Sequence, residues 1–295
     1  MAGHRIIDVH HHAFPPEAPV RPWTIKTDAK AMSDHGITDT LLSCPLQTET
    51  SSAHCFNEFL ARQIAAEPEH HRMLGVLPYD DITAALEEIS YVMDDCGAVG
   101  FSLNTHNHDV YIGNDKLNPV FEELNRRKAV LVLHPCHHRA PGNQKLVFTG
   151  NDSVYEYTFD TTRAVIDFVL QDKVSRWKDI RWVMPHAGGT IPFLAHRIAV
   201  SGNWGCIKQS EEEIHGILKS FYYDLALNHC DVNYSFMKDF VSADHLLFGS
   251  DYPNSGETLM GEDIALLDRT SVFTAEEKEQ IFHGTAEELF GWRGK

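Results

Sequence analysis

The feature that most constrains this chain is an alternation. Eight short apolar runs with strand character recur along its 295 residues, each followed by a polar or helix-patterned segment. The runs are RIIDVHHH (5–12), TDTLLSCP (38–45), HRMLGVLPY (71–79), GAVGFSL (97–103), AVLVLHP (129–135), IRWVMPHAGG (180–189), FYYDLALN (221–228) and LLFGSDYP (246–253). Several are almost continuously apolar, as strands covered on both faces must be. Between them, CFNEFLARQIAAEP, DITAALEEISYVMDDC, KLNPVFEELNRRK and TTRAVIDFVLQDKVSRW place apolar residues three and four apart with charges between, which marks amphipathic helices. Strand and helix alternating eight times, with no internal repeat and no Pro/Gly/Ser linker, predicts an α/β fold of the (β/α)8 TIM barrel type. It is expected as a single domain over 1–295. Two connections are longer and less regular, about 13–29 and 136–159, and are expected as loop insertions at the C-terminal mouth, where such barrels carry their chemistry.

Charge and composition narrow the partners. A formal net charge of -17, from 25 basic against 42 acidic residues, lacks the basic footprint that nucleic-acid binding needs, so a small-molecule or protein partner is expected. The start MAGHRIID has no basic region followed by an apolar signal stretch, and nowhere do 18 consecutive apolar residues occur. No membrane span is expected, and the chain reads as soluble and cytoplasmic. Six cysteines stand singly with no CxxC pair, which argues against a zinc ribbon and against a disulfide framework.

The ends of the runs carry the chemistry. In a strand, residues two apart point the same way, so His10 and His12 share one face and His11 takes the other. The fifth run closes on His134, the sixth on His186 and the eighth on Asp251. In a barrel these ends converge at the mouth, which brings five metal-competent side chains from four strands to one axis. Imidazoles with a carboxylate form a borderline donor set that suits Zn2+ or Mn2+ better than Ca2+ or Mg2+, which prefer oxygen shells.

These residues also carry a resemblance. The DxHxH start at Asp8, His10 and His12, the LHP at His134, the PHAGG at His186 and the GSDYP at Asp251 resemble the amidohydrolase superfamily. Within it they look like the branch of nonoxidative decarboxylases that includes aminocarboxymuconate-semialdehyde decarboxylase and the γ-resorcylate, 5-carboxyvanillate and 6-methylsalicylate decarboxylases. The likeness runs from the first run to the eighth. It implies a distorted barrel with one divalent metal, Zn2+ or Mn2+, on residues matching His10, His12, His134 and Asp251, and with His186 beside it. Hydrolase members often hold two metals with a carboxylated lysine after the fourth strand. Here that stretch reads GAVGFSLNTH, without a lysine, so one metal is expected.

The branch implies loss of CO2 from an ortho-hydroxy aromatic carboxylic acid once the ring carbon is protonated, with Asp251 as proton donor as well as ligand and His186 orienting or protonating. Arg197 in HAGGTIPFLAHR resembles an arginine that reaches the substrate of a neighbouring subunit, which implies a homodimer. Arg139, Tyr155 and Arg163 are further candidates for substrate contact. The phrase GNDSVYEYTFDTTRAV is most similar to the fungal 6-methylsalicylate decarboxylases, so 6-methylsalicylate is the first substrate expected. The alternative is a metal-dependent hydrolase or lactonase on the same barrel, which would turn over esters without releasing CO2.

Overall fold

The computed structural model describes residues 4–16, 23–44, 49–108, 110–136 and 152–292. Eight strands form its centre: β1 (Ile7–His12), β2 (Asp39–Ser43), β3 (His71–Gly75), β4 (Gly100–Asn104), β7 (Val130–His134), β8 (Arg181–Met184), β9 (Tyr222–Asp224) and β10 (Leu246–Leu247). They are hydrogen-bonded in that order, and every pairing is parallel. A short antiparallel ribbon, β5 (His106–Asn107) with β6 (Val110–Tyr111), follows β4. The ring closes where the residues after β10 meet β1: the Val9 amide donates to Phe248 O at 3.0 Å, the Asp251 amide to His10 O at 2.8 Å and the His12 amide to Tyr252 O at 2.8 Å. Seven of the apolar runs contain one of these strands whole and the fourth holds all of β4 but Asn104, so the (β/α)8 barrel expected from the alternation is present.

The helices are α1 (Ile25–His35), α2 (Thr50–Ala66), α3 (Ile82–Ser90), α4 (Asn118–Arg126), α5 (Glu156–Leu170), α6 (Lys173–Arg176), α7 (Ile191–Ala199), α8 (Glu211–Ser220), α9 (Asp231–Phe240), α10 (Glu257–Arg269), α11 (Ala275–Glu279) and α12 (Thr285–Phe290). Local chemistry fixes their starts. Asp81 caps α3 by accepting from the Thr83 and Ala84 amides, and α8 opens with a capping box between Ser210 and Glu213. Among the described residues, no helix is long and apolar enough to cross a membrane.

Strand parity sorts the core into two layers. Val130 and Val132 of β7 join Ile7, Val9, Leu41, Leu74, Val183 and Leu247 inside the barrel, whose base is plugged by Ala286, Leu289, Phe290 and Trp292. Leu131 and Leu133 belong instead to the larger layer that the helices cover, with Phe101, Leu103, Met184 and Tyr223. His134 continues the inward parity of Val130 and Val132, so β7 ends with an imidazole at the mouth. In β1 strict alternation from Ile7 and Val9 would send His11 inward. A register shift between Asp8 and His11 reverses this and turns His10 and His12 to the mouth, with His11 outside.

Two connections differ from expectation at their ends. The irregular stretch expected at 13–29 is shorter, because α1 begins at Ile25, where Thr24 and Thr27 form a capping box. The stretch expected at 136–159 ends in α5 from Glu156, preceded by a 3-10 turn at Asp152–Val154. Residues 17–22 and 137–151 of these stretches, Arg139 among them, lie outside the described residues.

Candidate metal centre

His10, His12, His134 and Asp251 meet at the barrel mouth, each buried and each offering one donor atom within 4.8 Å of the others. The His12 ring centroid lies 5.1 Å from both His10 and His134, with near-perpendicular planes, so the imidazole edges converge instead of stacking. The ring of His186 lies 4.8 Å from that of His10. The structure thus brings together all five side chains that the strand ends pointed to.

His10 and His134 are each held by Nδ1. His10 Nδ1 donates to Asp224 Oδ2 at 2.9 Å, and its buried Nε2 has no hydrogen-bond partner among the described residues. His134 Nδ1 donates to the Pro135 carbonyl at 2.7 Å, which leaves Nε2 to the centre. His12 Nε2 lies 3.0 Å from Asp251 Oδ1, and His10 Nε2 lies 3.7 Å from the same oxygen. A buried imidazole nitrogen with no partner, on a ring whose far side is fixed by a carboxylate, is the arrangement that metal ligation requires. The donor set fits one divalent cation.

The backbone aims the remaining groups. Asp251 sits at φ 58, and His186 at φ 53 opens a run of left-handed residues, Ala187, Gly188 and Gly189. The run lets the chain turn sharply out of β8: a Cβ on Gly188 would come within 2.6 Å of the Tyr223 ring. The His186 amide is fastened to Asp224 Oδ1 at 2.9 Å.

Protonation follows from burial and charge. Burial pushes His186 down to about 4, with the neighbouring His10 adding to the effect, and holds His134 well below the usual histidine range. Burial acts the same way on His10, but the carboxylates of Asp224 and Asp251 overcome it and raise this imidazole to about 9. A cation bound at Nε2 competes with that proton. Burial alone would raise the Asp251 carboxyl; the His12 hydrogen bond and the charge of His10 prevail and hold it well below the usual carboxylate range.

Several residues that shape the centre escaped the sequence reading. Asp224 ends β9 but sits inside the seventh apolar run, with Leu225, Ala226 and Leu227 after it, so no polar stop marked it in the sequence. Asp8 was quoted only as part of the opening motif. Its Oδ1 accepts from the His10 and Ser250 amides at 3.1 Å, and its Oδ2 accepts from the Ser250 hydroxyl at 2.5 Å and His11 Nδ1 at 2.9 Å. It ties β1 to the turn that carries Asp251. Tyr157 stands edge-on to His134 at 6.1 Å, two residues beyond Tyr155, which is half-buried at the start of α5. Arg163 is exposed, 3.6 Å from Glu156. Arg197 is exposed on α7, and no hydrogen bond or ion pair joins it to the four-donor cluster among the described residues.

A model of the family described as Amidohydrolase matches residues 7–292. Among curated proteins, the chain is 28% identical over 319 residues to Decarboxylase yanB of Aspergillus niger, covering 96% of this chain and 87% of that one. It is 29% identical over 318 residues to 6-methylsalicylic acid decarboxylase of Penicillium expansum, covering 96% and 95%. Among solved structures, dihydroxybenzoic acid decarboxylase from Polaromonas sp. JS666, with bound manganese and the inhibitor 2-nitroresorcinol, superposes with a TM-score of 0.82 at 19% identity over 99% of this chain and 98% of that one.

Proposed function

Because this chain belongs to the amidohydrolase family, we propose that it is a metal-dependent decarboxylase of an ortho-hydroxy aromatic carboxylic acid, with 6-methylsalicylate as first candidate. The observation that carries the reading is the buried cluster of His10, His12, His134 and Asp251 with His186 beside it. No lysine stands at the end of β4, where Asn104 is followed by Thr105. The names of the Penicillium and Aspergillus relatives support the reaction class.

His10, His12, His134 and Asp251 would hold the cation, Zn2+ first on the donor set, with Mn2+, the ion of the Polaromonas neighbour, second. When bound, the ion supplies Lewis acidity toward the ortho oxygen of the substrate. The protein's own groups do the rest. Direct loss of CO2 from an aromatic ring would leave an in-plane carbanion that resonance cannot spread, so the ring carbon must first take a proton. Asp251 is the donor in this reading: its carboxylate takes the proton that the substrate's ortho hydroxyl gives up on binding, the added negative charge of the substrate favouring the protonated carboxyl, and passes that proton to the ring. The proton forms a C–H bond at the carbon bearing the carboxylate, the bond to the carboxylate breaks, its electron pair returns to the ring, and CO2 leaves. His186, neutral through burial, orients the departing carboxylate by a hydrogen bond.

The substrate carboxylate also calls for a cation. Arg197 shares the exposed stripe of α7 with Phe193 one turn before it, and Trp204 is exposed shortly after the helix. This stripe is the surface a second copy would cover, so Arg197 serves the site of its partner in a homodimer, and Tyr155 at the start of α5 flanks the mouth of its own, with Arg139 a further candidate for substrate contact. The test is CO2 release and product formation from a panel of ortho-hydroxybenzoates, with metal content determined on the same sample. Turnover that disappears on chelation and returns with Zn2+ or Mn2+, at one metal per chain, is expected. A full metal site that releases no CO2 from any member, yet cleaves esters or lactones, overturns the reading in favour of a hydrolase.

A further inference from the structure

Away from the barrel mouth, a second set of side chains meets the demands of a cation. His196 of α7 and Glu211 and His215 of α8 each present one donor atom, and the three lie within 4.8 Å of one another. We propose that they form a separate surface site for an imidazole-preferring divalent ion such as Zn2+ or Ni2+. The inference is independent of the reaction assigned to the barrel.

Spacing and packing both contribute. Glu211 and His215 are four residues apart in α8, so they stand on one face of the helix, one turn from each other. From α7, His196 brings its ring to 6.0 Å from that of His215, with the planes inclined by 22°. A chance pairing of an exposed histidine with an acid would need only His196 and Glu211, whose Nδ1 and Oε1 are 3.8 Å apart. The second imidazole is what turns an ion pair into a ligand set.

The carboxylate is also oriented. Asn203 donates its side-chain N–H to Glu211 Oε2 at 2.8 Å, which fixes one oxygen and leaves Oε1 to the histidines. This is the outer support that metal-ligating carboxylates characteristically have. Two imidazoles and a carboxylate with a fourth position open to water form a familiar zinc donor set, whereas one oxygen among three donors is too few for Ca2+ or Mg2+. Tetrahedral ligands at about 2.1 Å from an ion stand about 3.4 Å apart, so no pair of these donors has more than about 1.4 Å to close. With the His196 side chain 78% exposed, rotamer adjustment costs little.

The experiment titrates Zn2+ into the holoenzyme already carrying its first ion, followed by calorimetry, with Co2+ absorption as a second probe of ligand geometry. A second equivalent with a Kd on the order of micromolar is expected. In His215→Ala and, separately, Glu211→Gln, that equivalent should weaken by about tenfold or more, with the first ion and turnover retained as proof of folding. No uptake beyond the ion already bound, or a second ion that binds with unchanged affinity in either variant that keeps its first, overturns the proposal.

Discussion

Asp224 occupies no ligand position, yet its two carboxylate oxygens set the direction of the centre: Oδ2 takes the Nδ1–H of His10, and Oδ1 takes the amides of His186 and Ala226. Removing its charge should loosen His10 without deleting a donor. For Asp224→Asn we expect metal affinity to fall about 10- to 100-fold, with turnover recovered at high metal concentration, as second-sphere changes behave. Asp251→Asn should differ in kind. It removes the proposed acid at nearly constant size, so turnover is lost, part of substrate binding stays, and added metal restores nothing; kcat measured against metal concentration separates the two. The five strand-end side chains were legible in the sequence because each is a polar residue where an apolar run stops. The charges that hold them were less so. Asp28, which receives His11 Nε2 at 2.9 Å and Trp23 Nε1 at 2.9 Å, is fully buried. Nothing in a single sequence announces that an aspartate will find its counter-ion on a distant strand.

That same aspartate explains a misplaced boundary at the level of elements. Helix α1 buries Ile25, Asp28, Ala31 and Met32 as its inner stripe, and a carboxylate in that stripe breaks the apolar period by which the other helices were recognised. The bulge in β1 was hidden for a different reason: inserting one residue flips every later side chain, and hydropathy carries no mark of it when both faces are buried. Helix α10 holds the clearest case of stability tied to pH. Asp263 is 3% exposed, and burial, assisted by the charge of Asp8, pushes its carboxyl up to about 7. The unfolded chain loses this proton near the ordinary aspartate value, so between about 4 and 7 the folded state keeps a proton that the unfolded state has released. Stability therefore falls as pH rises through that window and stays reduced above it. Asp263→Asn escapes the loss, and a gain of at most about 4 kcal/mol is expected at pH 8.5, shrinking toward zero below pH 4. Urea unfolding at the two pH values checks it; an equal difference at both would remove Asp263 as the cause. The turn after β8 gives a backbone test. Gly189 at φ 62 would carry a Cβ 2.3 Å from the Thr158 carbonyl oxygen, so Gly189→Ala should cost about 1–3 kcal/mol and lower both Tm and kcat.

At the scale of the whole molecule, the role proposed for Arg197 depends on a second copy of the chain. Its own chain places it on the outside of α7, next to Phe193 at 80% exposure, while the donor cluster lies buried at the barrel mouth. In the proposed twofold dimer an isologous interface would present the α7 stripe of each copy to the other. The arrangement has a consequence that no single-chain account shares. Asp251→Asn and Arg197→Ala should each be inactive as pure dimers, the first for want of its acid and the second for want of its partner's cation. In a mixed dimer one mouth carries both defects and the other carries neither, so co-expressed chains purified through two different tags should recover about half of wild-type turnover. If Arg197 serves its own mouth, the mixed dimer has one defect in each site and stays inactive. If Arg197→Ala alone turns over normally, or the protein sediments as a monomer at assay concentration, the shared site is wrong and the carboxylate must be met from within the chain, with Tyr155 and Arg139 the groups to change next.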